Sequence, residues 1–342
     1  MKTTRTSAIS VLVLVVGLPA GVANADFTFG EPIQLVEPIW SPGHDPQGCC
    51  FSGDGLELYF SSNRPGGYSG KDLWVATREA LDASWGEPVN LGLSVNGAGS
   101  QVEPAISPNG LELYFGDWSD RNIRVCKRTS KDAPWSSPEF LDPPIGLGNE
   151  LQADFSADGL SLYFSSSRSG TYGKGDIWVS TRATTDDPWA EPTNLGPNVN
   201  TSGSEGYPSI SSDGRILFFN HGTHIWMTKR ANKSDTWAPL VNCNIIGAPP
   251  MFDPAISPDG SVLYFETGYA MWQSSITPIV DLNGDRTVDS ADMCIIVDNW
   301  GTDNSLCDIG PMPWGDGVVD VQDLIVLAEH LFEEMPGRPI EP

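Results

Sequence analysis

"CFSGDGLELYF" (50–60), "AISPNGLELYF" (105–115), "DFSADGLSLYF" (154–164), "SISSDGRILFF" (209–219) and "AISPDGSVLYF" (255–265) are one pattern written five times. Each copy is an apolar strand, a turn built on Asp-Gly or Asn-Gly, and a second strand ending in aromatics. Both dipeptides tolerate positive φ and are strong short-range hairpin signals. A third strand follows each copy: "DLWVATR" (72–78), "NIRVCKR" (122–128), "DIWVSTR" (176–182), "HIWMTKR" (224–230) and "YAMWQSS" (269–275), with Trp74, Arg124, Trp178, Trp226 and Trp272 equivalent. A repeat of about 50 residues suits one four-stranded propeller blade.

The fourth strand shows how the ring closes. "SWGEPVNL" (84–91), "PWSSPEFL" (134–141), "PWAEPTNL" (188–195) and "TWAPLVN" (236–242) follow repeats one to four, and nothing similar follows repeat five. "TFGEPIQL" (28–35), with Phe29 in the Trp position, stands before repeat one. The N-terminal strand is therefore expected to complete blade five and remove an open sheet edge. The S-P-D-G hairpin followed by Asp-Ile-Trp resembles the TolB-like propeller repeat, a relative of the WD repeat, over residues 27–278. That resemblance implies a five-bladed all-β propeller of a family that mostly binds partners, and it says little about chemistry.

The remainder of the 342 residues bounds the setting. "MKTTRTSAISVLVLVVGLPAGVANA" (1–25) has a basic start, an apolar run and an A-x-A site, and reads as a secretory signal peptide. The apolar run is too short for a membrane span, and no later segment is apolar enough for one. The mature chain is expected to be exported, with a charge of 17 − 44 = −27 against −25 for the whole chain. Such a surface repels nucleic acid and anionic lipid and suits cations. The six cysteines sit in a disulfide-permissive setting. Cys294 and Cys307 are the expected bridge; Cys49, Cys50, Cys126 and Cys243 are expected to be free thiols.

"DLNGDRTVDSAD" (281–292) departs from the β pattern. Asp281, Asn283 and Asp285 offer side-chain oxygens, Thr287 a carbonyl, and Asp289 and Asp292 the remaining ligands. Oxygen-only ligands at this spacing suit Ca²⁺. "SADMCIIVDNW" (290–300) then reads as a helix with Ser290 as its cap. A second copy, "GDGVVDVQDLIVLAEHLFEE" (315–334), carries a helical stripe at Leu324, Leu327, Ala328 and Leu331. Asp308, Asp316, Val318, Asp320 and Asp323 are the candidates for a second, weaker site. Its first two ligand positions hold Met312 and Trp314, and Asp308 falls four residues early.

Two loop–helix units over 279–334 resemble a type I dockerin, a small EF-hand-like α-helical domain, with 335–342 left as a tail. The resemblance implies paired Ca²⁺ sites, closing Asp residues, and docking into a cohesin on another protein. The recognition positions, Ser290-Ala291 and Val321-Gln322, differ from each other, so docking on the propeller of the same chain stands as the alternative.

Strand order puts the Asp-Gly turns on one face of the propeller and the Gly-rich links on the other. Arg64, Tyr68, Lys71, Arg168, Tyr172 and Lys174 lie in those links. They are candidates either to contact a glycan or peptide or to brace the loops. Glu103 and Asp253 occupy equivalent innermost positions, with Gln152 and Tyr207 in blades three and four, Glu205 just before one such position and Asp154 nearby. Two carboxylates meet the minimum for a glycoside hydrolase in type alone. Three functions follow: a non-catalytic binding or scaffold propeller with a calcium-dependent assembly module, a carbohydrate-active hydrolase, and a structural envelope protein.

Overall fold

The computed structural model describes residues 27–332 except Ser41, 147–149, 246–249, Tyr269, Gly284, Arg286, Asp303, 305–306, 311–314 and 316–317, and the backbone alone of Leu151. The expected signal segment, the 335–342 tail and the candidate ligand Asp316 lie outside the described residues. The β part forms five antiparallel sheets. Blade one runs Gln47–Phe51, Glu57–Ser62, Asp72–Thr77 and Val89–Asn90, and blade two Gln101–Ile106, Glu112–Asp117, Asn122–Lys127 and Glu139–Phe140. Blade three runs Glu150–Phe155, Ser161–Ser166, Asp176–Thr181 and Thr193–Asn194, and blade four Glu205–Ile210, Ile216–His221, His224–Lys229 and Val241–Asn242. Blade five has Phe252–Ile256, Val262–Thr267 and Ala270–Pro278.

The fifth sheet is completed from the other end of the chain. Phe27–Phe29 pairs with Pro278 to Ile276, and Ile33–Gln34 pairs with Gln273 and Trp272. Between the two stretches the Gly30 N–H donates to the Ser275 carbonyl at 2.9 Å and the Ser274 hydroxyl donates to the Gly30 carbonyl at 2.7 Å. Phe27 and Phe29 set their rings 6.3 and 6.4 Å from that of Phe218 in blade four. The expected closure is the observed one.

Each hairpin turn is held by its own side chains. The Ser52 hydroxyl donates to Asp54 Oδ1 at 2.6 Å, and the Leu56 and Glu57 N–H groups close on that same pair of side chains. Ser107–Asn109, Ser156–Asp158, Ser211–Asp213 and Ser257–Asp259 repeat the contact. Arginines at the ends of the third strands lock turn to outer strand. Arg78, Arg128, Arg182 and Arg230 each donate Nε to the turn glycine's carbonyl and lie 4.2 to 4.3 Å over Trp85, Trp135, Trp189 and Trp237. Blade five has no such arginine; Ile276 stands in its place, near Phe29.

The outer strands pair over only two residues, shorter than the expected segments. Pro88, Pro138 and Pro192 stand immediately before them and supply no N–H, which limits the ladder and blunts the edge. Every propeller core cluster joins neighbouring blades, with blades five and one sharing Phe60, Trp74, Tyr264 and Met271. Leu58, Leu113, Leu162, Leu217 and Leu263 form a column with no exposed surface. Truncating one of them costs about 2–5 kcal/mol.

Residues 280–332 carry a separate small core of Val280, Val288, Ile296, Cys307, Ile309, Val319, Val326 and Leu327. It holds two helices, α1 (Ser290–Asp298) and α2 (Val321–Glu329). The cap of α1 is Asp289, not Ser290: its side chain accepts from Ala291 N, while Asp292 returns to the Asp289 N–H. Asp320 and Asp323 build the same capping box on α2. Cys294 and Cys307, expected as a bridge, are free thiols. Asp292 and Ile296 define the buried face of α1. Cys294, about 200° round the helix from each, is exposed, whereas Cys307 is buried near the Ile295 carbonyl. The other four cysteines are free as expected, and Cys49 and Cys50 pack into different core clusters.

Candidate functional site

The innermost strand of every blade breaks its ladder register at the same place. The residue at the break adopts a left-handed backbone: Gly48 (φ 49°), Glu103 (54°), Gln152 (52°), Tyr207 (55°) and Asp253 (54°). Such a bulge re-aims one side chain, here toward the channel, and for a non-glycine residue costs about 1–2 kcal/mol. The candidates Glu103 and Asp253 thus share one belt, brought together around Gly48. A Cβ on Gly48 would lie 2.4 Å from Glu103 Oε2, and the Gly48 N–H donates to Asp253. The bare position in blade one is occupied by its neighbours' carboxyls.

A third carboxyl joins them. Glu266, in the second strand of blade five, hydrogen-bonds the Asp253 side chain. Burial, then the Glu266 charge, pushes Glu103 up to about 8, against the pull of Lys71 and of Gln47. Burial, Glu103 and Glu266 hold Asp253 well above the usual carboxylate range, and burial raises Glu266 as well. Asp253 therefore holds the proton and Glu266 accepts its hydrogen bond. Gln47 donates to Glu103 Oε1 at 3.2 Å and accepts from Lys71 Nζ at 2.7 Å, and Lys71 also pairs with Asp45 at 3.2 Å. Burial and the same three carboxyls push the Tyr207 phenol up.

Tyr207 and Gln152 also line a cavity of about 620 Å³ at the channel end facing the Gly-rich links, with Arg121, Lys174, Ser165, Glu205 and His221 around them. Glu205 is 1% exposed. Its Oε1 lies 2.7 Å from His221 Nδ1 and accepts from the Thr201 hydroxyl at 2.6 Å, while its Oε2 has no partner. Committing Nδ1 to the carboxylate fixes the imidazole. At the opposite end a smaller cavity of about 130 Å³ is lined by all five innermost strands. There Asp154 accepts from Ile210 N at 2.9 Å in the next blade, and burial pushes it up to about 7.

The six link residues divide. Arg64 donates to the Pro38 and Ile39 carbonyls and lies over Phe60 and Trp74; Arg168 does the same with Pro144, Ile145, Phe164 and Trp178, and pairs with buried Glu150. Both brace the loops. Lys71 is tied into the channel cluster, Tyr68 and Tyr172 are exposed, and Lys174 lines the cavity. Glu266, His221 and Arg121 carried no weight in the sequence, although two of them break visible columns. Glu266 stands where the other blades have Ser61, Gly116, Ser165 and Asn220, and His221 where they have Ser62, Asp117, Ser166 and Thr267.

In the first C-terminal loop the Asp285 N–H donates to Asp281 Oδ1 at 3.1 Å and Asn283 Oδ1 at 2.8 Å, which sets those oxygens side by side. Asp292, fully buried, accepts from Leu282, Asn283 and Asp289 N–H groups. Asp323 accepts in the same way from Ile309, Gly310 and Asp320. This match makes Asp308 the counterpart of Asp281. The four extra residues fall after Gly310, so Asp308 is not early; a Cβ on Gly315 would collide with it. The donor set is the all-oxygen kind that suits a hard cation. Among the described residues no three His, Cys, Asp or Glu side chains are grouped tightly enough to hold a metal ion. Asp292 and Asp323 each also accept from backbone N–H groups of their own loop. The Arg215 guanidinium, at the blade-four turn, donates to the Gly315 carbonyl and ties the second loop to the propeller.

No described helix is long and apolar enough to cross a membrane. No protein-family model matches the chain, and no curated protein matches it. Among solved structures it is similar to TolB from Acinetobacter baumannii, at 12% identity and a TM-score of 0.46 over 69% of this chain and 56% of that one. The matched part is little more than half of that TolB. It is also similar to a putative TolB from Agrobacterium tumefaciens, at 19% identity and a TM-score of 0.41 over 70% and 77% of the two chains. A thermostable family-43 glycoside hydrolase matches at 14% identity and a TM-score of 0.42 over 71% and 91%. Likeness at these levels concerns the fold and identifies neither ligand nor activity.

Proposed function

We propose that the protein is a binding propeller whose channel takes a polar, hydroxyl-rich ligand, of the glycan class, through the face of the Gly-rich links. One observation carries this reading. Gln101 Oε1, Glu205 Oε2 and Asp253 Oδ1 belong to side chains at least nine-tenths buried, and none has a hydrogen-bond partner. All three lie in the first half of an innermost strand, the half nearest that face. Buried acceptors without donors are costly, so a ligand that donates hydrogen bonds recovers that cost on binding. Calorimetric titration against a panel of oligosaccharides should give binding that Glu205→Ala abolishes. Absence of binding across neutral and charged members would refute the reading.

The C-terminal unit is proposed to be the calcium-dependent assembly module. Asp281, Asn283, Asp285 and the Thr287 carbonyl would hold the first ion, joined by Asp289 and Asp292, and Asp308, Asp316, the Val318 carbonyl, Asp320 and Asp323 a second. Its partner is a cohesin-like protein or the propeller of the same chain, and the Arg215–Gly315 contact favours the latter.

A second reading, hydrolysis of a glycosidic bond, is supported by the shared proton of Asp253 and Glu266 beside Glu103. Asp253, which holds a proton, would supply the general acid such chemistry needs, with Glu266 and Glu103 as the neighbouring carboxyls. Turnover of polysaccharides that Asp253→Asn eliminates, with binding kept, would decide for it.

A further inference from the structure

We propose that the ligand of the channel mouth carries a carboxylate: the cavity is built for an acidic saccharide, a uronate-bearing chain, rather than a neutral one. The inference rests on the binding reading above and names its ligand class. In a chain of net charge −25, cations are scarce, and nearly all are already used. Among the described residues, the Lys and Arg side chains have partners within the protein, with two exceptions. Arg121 and Lys174 make no ion pair and no side-chain hydrogen bond, and both line the same cavity.

Their backbones are nevertheless fixed. The Arg121 N–H closes the blade-two link on the Asp117 carbonyl at 2.9 Å, with φ at 56°. The Lys174 N–H donates to Gly203 at 2.7 Å, beside the Gly175–Ser204 bridge. Two cationic side chains thus stand at the mouth on fixed backbones, neither in an ion pair with an anion of the protein.

The third charge in the lining is Glu205, so two cations against one carboxylate leave a formal balance of +1 with His221 neutral. That balance suits a monoanion, and the planar fork of Arg121 matches a carboxylate. The unpartnered Glu205 Oε2 then addresses a sugar hydroxyl. A phosphate dianion would meet the buried Glu205 charge with less compensation. The overall negative field of the protein repels any anion at a distance, so selection acts at contact range, where screening matters least.

The test is calorimetric titration of the whole protein with trigalacturonate, its methyl ester, a neutral galactotriose and a sulfated galactotriose. The acid should bind at least tenfold more tightly than its ester. Arg121→Gln and Lys174→Gln should each weaken the acid by about tenfold, the scale of one charged hydrogen bond, and leave the ester unchanged. Both side chains are exposed, and unchanged circular dichroism verifies the fold. Equal binding of acid and ester, unaffected by either variant, would overturn the carboxylate inference and leave the binding propeller standing. Tighter binding of the sulfated sugar would overturn carboxylate selection in favour of a tetrahedral anion. No binding of any of the four would overturn both readings.

Discussion

Replacing Glu103 by Gln should stabilise the propeller, and the gain should grow with pH. Burial and Glu266 hold this carboxyl at about 8 in the folded chain, against an ordinary 4.5. Below pH 4.5 both folded and unfolded chains bind the proton and the group contributes nothing. As pH rises toward 8 the unfolded chain releases the proton and the folded chain keeps it, so wild-type stability falls. At about 1.36 kcal/mol per pH unit the full cost above pH 8 is about 5 kcal/mol, and about 3 kcal/mol at pH 7. The amide keeps the shape and still accepts from Gln47. It also relieves Asp253, which Glu103 helps to hold up, so both effects have the same sign. For a ring of this size about 3 kcal/mol corresponds to a melting shift of roughly 6–12 °C. Differential scanning calorimetry of both proteins at half-unit steps from pH 4.5 to 8.5 measures it. A gap that is flat with pH, or a variant less stable at pH 8, would show that Glu103 is ionised and compensated in the folded protein, and would refute the reasoning.

Arg168→Ala should lower the propeller melting point by an amount equivalent to about 3–5 kcal/mol, because it removes the cation paired with the buried Glu150 carboxylate; Arg168→Lys should not restore it, since one ammonium cannot reach both carbonyls and the carboxylate. Removing residues 27–35 should abolish the single sharp propeller transition, and a deletion variant that still melts cooperatively at the same temperature would show that the seam is dispensable. Asp281→Ala should loosen the C-terminal unit alone: two calorimetric transitions are expected in the parent, with only one moved by EGTA, and a single transition that shifts as a whole would mean that the unit is coupled to the propeller.

The blades were legible because their determinants are local. An Asp-Gly or Asn-Gly turn, an apolar strand ending in aromatics and, outside blade two, a tryptophan on the third strand recur at nearly fixed offsets, and the missing fourth strand after repeat five pointed to the N-terminus. Arg64 and Arg168 illustrate what was not legible. Both the bracing and the binding roles use the same guanidinium in the same Gly-rich link, and only the positions of the Pro38, Ile39, Pro144 and Ile145 carbonyls separate them. Glu266 reaches Asp253 from a different strand, and Arg121 and Lys174 line one cavity from different blades, so neither juxtaposition has a sequence offset to betray it. The place of the extra residues in the second loop was not legible either, because only the matching contacts of Asp292 and Asp323 locate the insertion.

The five channel positions have a consequence for how such a molecule can change. Taken around the axis they spell Gly, Glu, Gln, Tyr, Asp, five letters written in backbone slots of one shape. Four of them tolerate a left-handed conformation at roughly 1–2 kcal/mol apiece, a sum comparable with the whole net stability of an ordinary domain. The toll is levied by the slot and depends little on which side chain fills it, as long as that side chain is not glycine. Exchanging one letter for another of similar bulk, such as Gln152 for Glu, therefore rewrites the charge of the channel at nearly constant backbone expense. The architecture works as a keyboard, in which the folding problem is solved once in the hairpins and recognition is retyped one key at a time.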